Sequence, residues 1–402
     1  MPTRRPVTVG NFATTFLPVL FFYYTMAVLV QRKHTFQYRL ALLPLILCLA
    51  FHMGTSLDFS GGSPGHVFLN QGLALAMFTV AMRTITWTFA KEPYRRTGLT
   101  YENSDKKRPL SRDHTPDFTL GEAMWNAWDL IMNLRGLGWN WSRTFHIPAP
   151  TFHTSSVPFF LAQSIIRLVF YVLAFDIASA SIRSFSPDTF GSIRGGSIFD
   201  VSLAPIPRYM RASVISVLSA WTAYFIIETV YQIHAIIFVL LFRQRPSQWP
   251  PLFDSPWMST SLAEFWGQKW HQLFRECFTA VGSRPFRHYL GRTGGIFGAF
   301  LASGMLHDVG LRGMDRGGDT IAVIGFFMMN ALGLTLEYAW KKQTGNKVGG
   351  IGGWLWALVW LVTWGNLMVD AWGRTGLVGS DFFPEIYRPS KLILGRFAKY
   401  LP

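Results

Sequence analysis

The chain has 402 residues, half of them apolar and only 15% charged, with 35 Phe and 16 Trp. Soluble domains carry about a quarter charged residues, so an ordinary globular protein is excluded; apolar stretches recurring along the whole length predict a polytopic, all-α membrane protein. The net charge of +15 does not signal nucleic acid, because Lys and Arg lie between apolar runs and form no basic domain. They read as topology signals and as counter-charge for lipid headgroups or an anionic cofactor.

In chain order, eight transmembrane helices are predicted near 11–31, 38–54, 67–90, 156–181, 212–242, 294–311, 319–340 and 351–372, within one integral-membrane domain over 1–402. Each approaches or exceeds the roughly 20 residues that cross a bilayer core. The first, "NFATTFLPVLFFYYTMAVLVQ", is too long for a secretory signal peptide and lacks its small-residue cleavage site, so it reads as a signal anchor. Pro44 predicts a kink in the second span, and the fifth is long enough to tilt.

Arg32, Lys33 and Arg39 follow span one, and no Lys or Arg follows span two. Positive-inside reasoning puts that first linker in the cytosol, against the pull of Arg4 and Arg5. The segments 91–155, 243–293 and 341–350 then also face the cytosol, and the sequon Asn140-Trp141-Ser142 should stay unglycosylated. Residues 91–118, charged and turn-rich, read as a mobile connector. Cys48 and Cys277 lie far apart and give neither a disulfide framework nor zinc spacing. A Walker motif is missing from the sequence. "GGIGG" at 349–353 reads as a flexible loop.

Two segments carry histidines that could do chemistry. In "TSLAEFWGQKWHQLFRECF", 260–278, Ser261 and Glu264 have capping-box spacing, and Trp266, Trp270, Leu273 and Cys277 share one stripe. This predicts an amphipathic helix in the headgroup region, with His271 on a solvated face. In "GAFLASGMLHDVG", 298–310, Gly294, Gly298 and Ala302 form a small-residue face that lets a neighbouring backbone approach. Ser303 lies one turn below His307. Asp308 points roughly 100° away from it and pairs more naturally with Arg312, four residues on. His52, His234 and His307 all lie in or at the end of spans and share the presumption of function that attaches to a buried ionisable group. Asp176, Glu228, Glu337 and Asp370 are further acids in or near spans, and spacing does not rank them.

Together "SLAEFWGQKWHQLFRECF" at 261–278, "SGMLHD" at 303–308 and the upstream "RGLGWNW" at 135–141 resemble the wax-synthase-like branch of the membrane-bound O-acyltransferases, particularly its fungal members. The resemblance implies that His307 is catalytic. Other branches end the upstream element in Trp-Asn where this chain has Trp270-His271, so His271 orients the acyl donor or assists the base. It also implies an acyl-CoA co-substrate, an apolar alcohol as acceptor, and the endoplasmic reticulum membrane. Lys269, Arg284, Arg287 and Arg292 are the candidates for the CoA phosphates, with headgroup contact as their plainer role. The variants "FWGQKWHQ" and "RGLGWNW" favour acetyl transfer from acetyl-CoA to a terpenoid or meroterpenoid alcohol. A long-chain wax or sterol ester synthase is the alternative within enzymes. A transporter or non-catalytic membrane protein is the alternative outside them, and the two related halves common in transporters are not visible here.

Overall fold

The computed structural model describes residues 4–97, 118–142, 145–149, 156–384, 388–390 and 392. Most of the predicted connector, 98–117, lies outside the described residues. Among those described, eight helices are long and apolar enough to cross a membrane. They include α1 (Val9–Leu29), α2 (Phe36–Ser56), α3 (Phe68–Thr88), α5 (Val157–Ser184) and α6 (Pro205–Leu241). The remaining three are α9 (Arg284–Arg312), α10 (Thr320–Thr344) and α11 (Gly350–Arg374). This chain is an integral membrane protein.

Between the crossings, the connections gather at two ends. At one end Tyr94 N donates to Val30 O (3.0 Å), Arg135 Nη1 to Pro250 O (3.2 Å) and Trp354 Nε1 to Trp257 O (2.9 Å). At the other, a two-residue parallel ladder joins Arg5–Pro6 to Leu57–Asp58, and Arg316 and Asp381 bond to Pro64 O and Gly65 O. The linker after α1 and the segments at 246–258 and 345–349 therefore share one end, as an alternating eight-span scheme requires.

The predicted 91–155 connector holds a helix that the sequence reading passed over. Helix α4 (Leu120–Met132) starts at Thr119, whose hydroxyl accepts from Glu122 N while the Glu122 carboxylate accepts from Thr119 N (2.8 Å). Its Ala123, Ala127, Leu130 and Ile131 are buried, in a cluster that also holds Tyr23, Met26 and Ala27 of α1. Leu120, Met124, Trp125, Trp128 and Met132 are exposed on another side. A helix with an outward apolar, Trp-bearing face fits the membrane interface.

The "RGLGWNW" element follows directly. Gly136 and Gly138 adopt φ of 68° and 78°, and a Cβ on Gly136 would overlap the Trp141 ring. Trp139 is buried and donates to Asp129 Oδ2 (2.8 Å), and buried Arg135 bonds the carbonyls of Pro250 and Pro251. The element thus docks the chain leading into the first histidine segment.

The sequon is consumed by the same turn. Asn140 Nδ2 donates to Pro93 O and its Oδ1 accepts from Arg95 N, while the buried Ser142 hydroxyl bonds Gly136 O and Trp139 O. We expect no glycan at Asn140, read as an unchanged mass after treatment with a glycan-removing amidase; a glycan there would place the segment in the lumen while the chain is still unfolded, against the cytosolic assignment.

The glycines at 349–353 are not a loop. They form the first turn of α11, and Gly353 lies so close to Thr260 O that a Cβ would sit 2.1 Å from it.

Candidate active site

The first histidine segment is not one amphipathic helix. Ser261 does cap a helix start, accepting from Glu264 N (3.0 Å), but the regular turn α7 spans only Leu262–Glu264. A π-helical turn, Phe265–Lys269, follows, and Trp270 is extended. Gln272 Nε2 donates to Trp266 O (3.1 Å) and Trp270 O (2.6 Å), and Arg275 Nη1 to Gly267 O (2.6 Å). Side chains therefore replace the backbone donors that a continuous helix would supply, which is what lets the chain break here. Helix α8 (Arg275–Phe278) and a second π-helical turn (Thr279–Ser283) then lead into α9.

Helix α9 itself reverses at Gly291, where φ is 65° and ψ −156°. A Cβ on Gly298 would sit 2.5 Å from Gly282 O, and one on Gly294 2.7 Å from Phe286 O. In a straight helix residues eight or more apart in sequence lie over 10 Å apart. Residues 275–290 and 292–312 are therefore two antiparallel arms of a tight hairpin. The small-residue face of Gly294 and Gly298 receives the preceding arm of its own chain. The true crossing begins near residue 292, close to the predicted 294.

This reversal brings Cys277 and Leu306 into one apolar cluster with Met82 of α3 and half-buried Phe274. It also brings the two histidines to the same cluster: the His271 ring lies 6.2 Å from that of Phe274, and Leu306 immediately precedes His307. His271 is not on a solvated face. Its ring meets Phe253 edge-on at 5.7 Å and Trp270 at 5.5 Å, and its Nδ1 is buried without a hydrogen-bond partner. Burial first, then repulsion from His307 and Arg135, holds it neutral, well below the ordinary imidazole range.

His307 is half-buried and stacks on Phe327 of α10 with ring centroids 5.0 Å apart. Neither of its ring nitrogens has a protein hydrogen-bond partner among the described residues. The same holds for the Ser303 hydroxyl and the Trp270 indole N–H. The two rival histidines face outward: His52 is exposed on α2, and His234 is exposed on α6 with Nδ1 2.7 Å from Val230 O. Asp308 is tied to Arg312 Nε (2.8 Å) and Thr320 Oγ1 (2.8 Å), fastening the end of α9 to the start of α10. It does not orient His307.

The basic candidates divide. Lys269 is occupied by Glu264 Oε1 (3.0 Å) and Met258 O (2.9 Å) and serves the turn it lies in. Arg284, Arg287 and Arg292 are exposed around the hairpin tip; Arg284 reaches Glu276 (3.0 Å), and Arg292 lies 4.3 Å over the Tyr338 ring. Of the unranked acids, Asp176 pairs with Arg388 and Asp370 with Arg374. Glu228 bonds Gln232 at 3.2 Å, and Glu337 binds backbone N–H groups of Leu262 and Ala263. Among the described residues, no cluster of His, Cys, Asp and Glu could hold a metal ion.

Known proteins resemble parts of this chain. Over 301 residues the chain is 26% identical to an acetyltransferase of Arthrinium sp, covering 69% of this chain and 66% of that one. An acetyltransferase of Rhodocybe pseudopiperita is 27% identical over 262 residues, 61% of this chain and 64% of its own. A long-chain-alcohol O-fatty-acyltransferase of Simmondsia chinensis is 29% identical over 106 residues, 24% of this chain and 30% of its own. The matches thus span less than two thirds of these relatives' length. The model of the membrane bound O-acyl transferase family matches residues 249–329, which hold His271, the hairpin and His307. Those residues are similar to the membrane bound O-acyl transferase family, and they are set in a bundle of apolar helices.

Proposed function

We propose that this protein transfers an acyl group from acyl-CoA to an alcohol, with His307 as general base and His271 beside it. The observation that carries this is the hairpin, which sets the two imidazoles in one half-buried, aromatic-lined place with the ring nitrogens of His307 unclaimed. As the alcohol oxygen attacks the thioester carbon, His307 takes the hydroxyl proton. Collapse of the tetrahedral oxyanion expels the CoA sulfur, which recovers that proton and leaves as the thiol. A positioned base of this kind contributes about 10²–10⁴-fold. The free Ser303 hydroxyl and Trp270 indole N–H are the candidate donors to the oxyanion.

The names of the Arthrinium and Rhodocybe relatives support acetyl-CoA as donor. The acceptor is an apolar terpenoid or meroterpenoid alcohol that enters from lipid. Arg284, Arg287 and Arg292 at the exposed tip meet the CoA phosphates from the cytosolic side, and the membrane is that of the endoplasmic reticulum. The Simmondsia relative supports a second reading, long-chain ester synthesis, at the same histidines.

Membranes containing the full chain, given acetyl-CoA or palmitoyl-CoA with terpenoid, sterol and fatty alcohols, test this by CoA release and ester mass. Acetyl ester is the expected product. Palmitoyl ester alone would replace the acetyl reading with the long-chain one. Substrate flux into vesicles with no CoA released would overturn acyl transfer in favour of transport.

A further inference from the structure

We infer that α10 is the ruler that sets the two histidines opposite each other, with Glu337 as the positioning residue. This rests on the acyl-transfer reading above. Glu337 is buried within the α10 crossing, and among the described residues no Lys or Arg pairs with it. Its carboxylate instead accepts Leu262 N at 2.6 Å, Ala263 N at 2.9 Å and the Trp356 indole N–H at 3.0 Å. A buried carboxylate without a counter-ion is costly and persists only where strong donors replace its water. Here two of those donors are the first amides of α7, the start of the segment that carries Trp270 and His271.

The same helix holds that segment again further along. Asn330, fully buried, accepts the Trp266 indole N–H at 3.0 Å, and Trp266 lies between Phe300 of α9 and Phe326 of α10. Three residues before Asn330, Phe327 carries the stacked ring of His307. Glu337 and Phe327 are ten residues apart on one rigid helix, about 15 Å. His271 and His307 are thereby each referenced to α10, and Glu337 fixes the entry point of the arm that has no regular helix to hold it. It touches neither histidine and acts through the position of the chain.

Glu337→Gln keeps the size but turns an amide NH2 toward backbone N–H groups. In the full chain we expect kcat about 10²-fold lower, the cost of a misplacement near 1 Å. KM for acyl-CoA and for the alcohol should stay within about twofold, the thermal midpoint in detergent should stay close to wild type, and Glu337→Asp should recover part of the rate. An unchanged kcat, or a loss that only follows loss of folded protein, would overturn the proposal. A second measurement does not depend on turnover: nitroxide labels at Gln268→Cys and Lys342→Cys, with Cys48 and Cys277 replaced by Ala. Glu337→Gln should broaden the distance distribution between them, and an unchanged distribution overturns the anchor. Should wild type make no ester, the acyl-transfer reading fails while the label distances still decide whether Glu337 seats the arm.

Discussion

His307→Ala lowers ester formation about 10²–10⁴-fold, the contribution of one positioned base, while the protein stays folded and still binds acyl-CoA. The expected size follows from what the residue is free to do. Its ring is held by stacking on Phe327, so its orientation costs no hydrogen bond, and both nitrogens remain open to a substrate hydroxyl. His307→Gln, closer in size, should be nearly as slow, because an amide does not accept a proton near neutral pH. His52→Ala and His234→Ala should leave the rate unchanged, since both rings face away from the bundle. The measurement is single-turnover acyl transfer on purified protein with thermal midpoint and donor binding recorded in parallel. A fully active His307→Ala protein would remove this residue as the base.

Gly298→Val opens the hairpin. A Cβ there sits 2.5 Å from Gly282 O and 2.9 Å from Phe286 Cβ, so a branched side chain must drive the two arms apart. Overpacking of this kind costs about 1–3 kcal/mol, and the shift would also carry His271 away from His307. We therefore expect a lower thermal midpoint and activity reduced by about 10²-fold or more. Gly325→Ala is the control. The nearest atom to a Cβ there is Leu367 Cδ1 at 3.7 Å, an ordinary van der Waals contact. Equal stability and activity for both variants would mean that the arms do not meet as described.

The apolar crossings were legible because hydropathy is a local property; their predicted ends agree with the helices except at the start of α6 and around α9. The helix at Leu120–Met132 was also present in the sequence, as Thr119 and Glu122 in capping-box spacing followed by apolar residues. The charge of the neighbouring connector masked it. The stripe of Trp266, Trp270, Leu273 and Cys277 misled for a different reason. Helical periodicity was real, but Gln272 and Arg275 satisfy the carbonyls of a broken turn, and Glu337, far along the chain, holds its start. No local pattern encodes that competition. Ser261 as a cap and Arg312 as the partner of Asp308 were readable, being contacts within one turn. Spacing and hydropathy alone did not separate His307 from His52 and His234, because hydropathy does not say which side of a span faces its neighbours; only the resemblance of "SGMLHD" pointed to His307.

The fold at Gly291 also fixes the length of each arm between the two histidine motifs. One residue added to either arm alone would rotate everything beyond it by about 100° and advance it by about 1.5 Å. A hairpin has no way to absorb this, because its arms share a seam of glycines. Length changes are compatible with the chemistry only beyond the seam, at the exposed tip around Tyr289 and Leu290 or upstream of Pro250. For anyone grafting this segment into another scaffold, the stretch from Leu262 to Arg312 is one indivisible cassette, and α10 must travel with it.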